Sequence, residues 1–154
     1  MSPEVSIALR ALLAHRCAIV GVGNPLRGDD GLGPALVSAL PPREAWLKID
    51  AGAAPENYMG KIVAFRPETV VLVDAVEFGA DPGSCALLHA DDLGAGGLTT
   101  HDMTLHLAIR YVEAETRARI AVLAVQPEST ALGEGLSGPV RAAIREIAAL
   151  FGAE

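Results

Sequence analysis

Residues 21–33 read G-V-G-N-P-L-R-G-D-D-G-L-G, and this stretch constrains the chain more than any other. The short apolar run Cys17 to Val20 precedes it, and an apolar-periodic segment, Leu32 to Leu40, follows. Strand, tight turn and helix are thereby predicted in that order. The turn holds five glycines and two adjacent carboxylates, Asp29 and Asp30. Glycine admits left-handed backbone and close approach, so glycines 21, 23, 28, 31 and 33 are expected to let a peptide backbone come near. An Asp pair in such a turn is poised for a cation or a cationic substrate.

The rest of the chain continues the alternation. Residues 1–16 read as a helical lead-in with Ile7, Leu9, Leu12 and Leu13 apolar. Strands are expected at about 17–22, 46–50, 68–74, 85–89 and 119–126. Helices are expected at about 31–40, towards Phe65, at 101–115 and at 139–151. Glu68 to Asp74, E-T-V-V-L-V-D, is an unbroken run suited to a strand buried on both faces. Pro41-Pro42 stops the second helix. Strands alternating with helices imply a single three-layer α/β domain over residues 1–154: a doubly wound, mostly parallel sheet with helices on both faces. Its ligands should bind beyond the carboxyl ends of the strands. With 51% hydrophobic and only 4% aromatic residues, its core must be aliphatic.

A formal charge of -7 argues against a nucleic-acid partner and favours a basic one. No apolar run reaches the roughly 20 residues of a membrane helix, and the N-terminus lacks a signal-peptide pattern. A cytoplasmic protein without membrane insertion is expected, with Cys17 and Cys85 as buried free thiols.

Three rival accounts of the turn can be weighed. Gly21-x-Gly23 after a strand, with Asp50 ending the next strand, suggests a dinucleotide site. Leu26 stands where its third glycine belongs, however, and Asp29 and Asp30 would repel a pyrophosphate. Thiol hydrolysis fails on distance, because Cys85 and His89 in one strand stand about 13 Å apart. Cys17 lies at the wrong end of its strand, and no serine sits in a G-x-S-x-G elbow. The third account is plain architecture: an Asp helix cap, a strand-end Asp74, a surface His101. Asp74 resists it, since a carboxylate ending an apolar strand costs free energy unless paired. Asp30 after the first strand, Asp74 ending the third and His101 opening a helix can converge on one rim. Asp, Asp and His form an oxygen and nitrogen donor set suited to nickel, zinc or cadmium, with coordination positions left open. Thr99-Thr100 reads as the cap of the His101 helix, whose positive end favours a neutral, ligating imidazole. His106 lies off that helical face. Asn24 is expected to brace the turn or hold substrate backbone.

Several stretches together resemble the nickel–iron hydrogenase maturation endopeptidases, in particular the type that processes the hydrogenase 3 large subunit. They are G-V-G-N-P-L-R-G-D-D-G-L-G-P at 21–34, D-A-G-A-A-P-E-N at 50–57, V-D-A-V-E at 73–77, the Asp81-Pro82-Gly83 turn, T-T-H-D-M-T-L at 99–105 and Q-P-E at 126–128. The resemblance implies a protease that removes the C-terminal extension of a nickel-loaded hydrogenase large-subunit precursor. It implies Asp30, Asp74 and His101 as the catalytic and metal-contacting residues, with Asp29 ordering the turn or capping the helix. It implies that the nickel arrives with the precursor and serves as a recognition handle. A non-catalytic metal-binding or chaperone-like module using the same site is the alternative.

Overall fold

The computed structural model describes residues 1–89 and 103–152. Helix α1 (Pro3–Leu13) starts where the Ser2 hydroxyl accepts from Val5 N and Pro3 occupies the first turn. It leads into β1 (Cys17–Val22), all six residues of which are buried. A 3-10 turn (Gly28–Gly31) and helix α2 (Leu32–Ala39) follow. Strand β2 (Trp46–Gly52), a second 3-10 turn (Pro55–Tyr58) and α3 (Met59–Phe65) come next. Arg66 ends α3 in the left-handed region, at φ 53°, a common helix stop, and Pro67 follows it. The remaining elements are β3 (Thr69–Ala75), β4 (Cys85–His89), α4 (Met103–Glu115), β5 (Arg119–Val125) and α5 (Gly138–Ala149).

The strands form one sheet in the order β2-β1-β3-β5-β4, parallel except for β4 against β5. The expected doubly wound α/β architecture is therefore present. Alternation along the central strands divides the core. Cys17, Ile19, Val71, Val73, Leu123 and Val125 face a layer that includes Leu9 and Leu13 of α1, Leu36 of α2 and Ile144 of α5. Ala18, Val20, Val70, Leu72 and Val122 face Ile62 of α3 and Leu105 and Ile109 of α4. Helices thus cover both faces, which explains the unbroken apolar sequence of β1 and β3.

Several local expectations shift. The helix expected at about 31–40 is α2, and the 3-10 turn that precedes it, Gly28–Gly31, belongs to the glycine turn. Asp74 is the next-to-last residue of β3, and Ala75 closes the strand against Val125. Ile7 is 69% exposed, since α1 turns Leu9 and Leu13 inward and leaves Ile7 on the outer face.

The strand order reverses direction at β1. From it the chain moves one way to β2 and the other way to β3. The carboxyl ends of β1 and β3 therefore flank a switch point, where open α/β sheets form their binding crevice. Helix α2 approaches this point closely: a Cβ at Gly33 would sit 2.5 Å from both Val22 O and Val73 O. Substituting Gly33 by Ala is expected to destabilise the fold by about 3 kcal/mol or more, measured by urea unfolding. Gly135, where an added Cβ would meet nothing within 4 Å, should tolerate Ala with an unchanged midpoint.

Candidate active site

The turn leaving β1 is held from inside. Asn24 Oδ1 accepts from Leu26 N at 2.9 Å, closing a tight Asx turn. The Asn24 backbone N–H donates to Asp30 Oδ2 at 2.8 Å. Asn24 therefore braces the loop, and its backbone aims the Asp30 carboxylate. Asp30 itself is half-buried on the 3-10 turn, which packs against β3.

Asp29 points the other way and is fully buried. One carboxylate oxygen accepts from Ser137 N at 2.7 Å. The other accepts from Ser137 Oγ at 2.8 Å, Glu128 N at 2.8 Å and Ser129 N at 3.3 Å. Burial alone would raise its pKa. The donated bonds, from the Ser137 and Glu128 backbone first, outweigh burial and hold the group below the ordinary carboxylate value. Asp29 does not cap α2, whose N-cap is Gly31. It fastens the segment 128–137, which follows β5, onto the turn that follows β1.

Asp74 is 4% exposed and sits beside Ala124 at the carboxyl end of the sheet. The register that pairs Gly21 with Val73 puts Asp74 one step beyond the last β1–β3 pair. Asp30 and Asp74 thus lie on the same rim, at the switch point. His101 lies outside the described residues. Among the described residues no three His, Cys, Asp or Glu groups gather to hold a metal ion. The donor set expected for one includes His101.

The glycines of the turn sit where backbone meets backbone. The space a side chain would take at Gly21 is filled by Gly33 backbone, and at Gly23 by the Asp30 carbonyl. At Gly28 it is Ser129 O, 2.6 Å away, and at Gly31 it is Pro25 Cα, 2.8 Å away. These glycines let the turn pack on itself and on its neighbours. Beside them runs an open groove of about 390 Å³ lined by Pro25, Gly28, Gly31, Pro34, Asp50 and Leu136. Asp50 Oδ1 accepts from Gly52 N at 3.0 Å, so it orders the end of β2.

The thiols are poor nucleophiles. Burial pushes Cys17 and Cys85 each up to about 11. Sequence reasoning missed a role for Gln126, a buried amide directly after β5. A polar residue following an apolar strand, inside the Q-P-E stretch, was the available signal.

A doubly wound sheet with its switch point at β1, and with Asp30 and Asp74 near the carboxyl ends of β1 and β3, defines an α/β protein of the open-sheet type. The family profile described as HycI, hydrogenase maturation protease, matches residues 34–153. The hydrogenase 3 maturation protease of Escherichia coli K12 is 33% identical over 129 residues, 82% of each chain. A crystal structure of the [NiFe] hydrogenase maturation protease HycI from Thermococcus kodakarensis KOD1 superposes with a TM-score of 0.84 at 32% identity, covering 93% of this chain and 95% of that one. The solution structure of an endopeptidase HycI from Escherichia coli gives 0.76 at 31% identity, with 86% of each chain covered. The chain belongs to the hydrogenase maturation protease family, and it is a peptidase.

Asp29 should make stability depend on acidity. Its folded pKa lies below its unfolded one, so its contribution is present above about pH 4 and is lost as pH falls through the depressed value. Asp29→Asn should cost about 3 kcal/mol at neutral pH, because an amide cannot accept from all four donors. It should also flatten the acid limb of a stability profile measured by denaturant titration at several pH values.

Proposed function

We propose that this protein is an endopeptidase that removes the C-terminal extension of a nickel–iron hydrogenase large-subunit precursor once nickel is in place. Family membership supports the reaction class. The single structural observation in its favour is the placing of Asp30 and Asp74 on one rim at the β1/β3 switch point. Two carboxylates and the imidazole of His101 are too few to strip a hydrated dication, but they can complete the coordination of an ion already held by the precursor. Nickel is then part of the substrate and reports that the precursor is loaded. A zinc or cadmium ion suits the same donors.

The surface near the turn fits a protein substrate. Leu26 and Leu132 are 67% and 70% exposed, and Gly133 N donates to Leu26 O, which holds the two loops side by side. Among the described residues no helix is long and apolar enough to cross a membrane. We place the reaction in the cytoplasm, where the precursor is assembled.

The test incubates nickel-loaded precursor with the purified protein and follows precursor size. Cleavage is expected with nickel and not without it. Asp30→Ala, Asp74→Asn and His101→Ala should each reduce processing by about 100-fold or more, with circular dichroism unchanged, while His106→Ala stays near wild type. A stable complex with no size shift would overturn the protease reading in favour of a non-catalytic chaperone-like module. Full processing by His101→Ala would remove that residue from the site.

A further inference from the structure

Two stretches matter to the sequence pattern and are left unused by the ion site: the end of V-D-A-V-E at Glu77 and the start of Q-P-E at Gln126. The fold joins them. Gln126 Nε2 donates to Glu77 Oε2 at 2.6 Å. The amide cannot be turned round. Its Oε1 accepts from Phe78 N at 2.9 Å and Ala80 N at 3.3 Å, so the oxygen must face the chain after β3. Nε2 also donates to Pro127 O at 3.3 Å. Two acceptances and two donations exhaust a glutamine amide. Gln126 is 4% exposed and has nothing left to offer a substrate. What it does is hold the segment that leaves Asp74 and fix one oxygen of Glu77. Glu77 is exposed to solvent, and its Oε1 makes no bond to the described residues.

Asp29, Asp50, Asp30 and Asp74 have other roles. Asp29 is buried under four donors. Asp50 folds onto its own Gly52 N at the edge of the sheet. Asp30 and Asp74 belong to the proposed ion site. Glu77 follows Asp74 by three residues, which limits their Cα separation to about 10 Å. Neither thiol is an available nucleophile. We propose that Glu77 accepts the proton of the water that attacks the scissile peptide bond, and that Gln126 is the positioning residue that aligns it. The proposal rests on the endopeptidase reading above. In the step, the water oxygen bonds to the scissile carbonyl carbon as one water proton passes to Glu77. The C–N bond then breaks, and that proton passes from Glu77 to the departing amine. The products are a carboxylic acid and an amine, which exchange the remaining water proton to become a carboxylate and an ammonium, and Glu77 is regenerated.

Three variants of the full chain test this on nickel-loaded precursor, with kcat, KM and thermal midpoint measured for each. Glu77→Gln keeps the shape and should lower kcat by about 100-fold or more, with KM within about twofold and the midpoint unchanged. Gln126→Glu keeps both acceptor bonds to Phe78 and Ala80 but sets a carboxylate against Glu77. It should lower kcat by about tenfold. The double variant Glu77→Gln with Gln126→Glu restores the hydrogen bond with donor and acceptor exchanged. Its midpoint should return to wild type while its kcat stays as low as that of Glu77→Gln. Recovery of kcat in the double variant would show a merely structural bond and overturn the proposal. Wild-type cleavage by Glu77→Gln would overturn it as well. An uncut precursor with the wild-type protein would sink the endopeptidase reading, and the role of Glu77 with it.

Discussion

A buried carboxylate must find hydrogen-bond donors or lose its charge, and Asp29 finds four. Much of the rim depends on that requirement. The donors come from Glu128, Ser129 and Ser137, about a hundred residues away in sequence. Satisfying Asp29 therefore brings the connection after β5 to the turn after β1. The backbone adds to the clamp, with Asp29 N donating to Ser129 O at 2.8 Å and Gly28 N to Glu134 O at 3.1 Å. Asp30, the next residue, stays half-buried while Asp29 is carried in.

The close packing of the turn follows from the same logic. Its glycines are needed where backbone meets backbone: Gly33 over Val22 and Val73, Gly28 under Ser129, Gly31 against Pro25. A side chain at these positions would lift α2 off the sheet or push the 128–137 segment away. The crevice is thus rigid on its inner side. Its outer side is the open groove that includes Asp50 and Leu136. A rigid turn beside an open groove suits an enzyme whose substrate is a whole protein, since little ordering is required of the enzyme on binding.

Chemically alike groups take different roles here through their surroundings alone. Asp29 is a brace, Asp30 is aimed by a backbone N–H, Asp50 orders a strand end, and Glu77 is held by one amide while it faces solvent. Gln126 does for the chain after β3 what Asp29 does for the chain after β5. Each is a buried polar group with its hydrogen-bonding capacity used on distant backbone.

The sequence by itself determined the sheet, most of its strand limits and the rim on which Asp30 and Asp74 lie. Apolar runs such as Val70 to Val73 can be buried on both faces only in a covered parallel sheet, and parallel strands place their carboxyl ends together. It also marked the segment at 99–105 that resembles the family, though His101 lies outside the described residues. Local pattern could not say which Asp of the adjacent pair turns inward. That depends on Ser137 and Glu128, whose place near the turn is settled by β5 lying two strands from β1. Nor could it say what the glycines touch, or that Glu77 and Gln126 meet. Those are contacts between segments far apart in the chain, and only the packed sheet with its connections brings them within bonding distance.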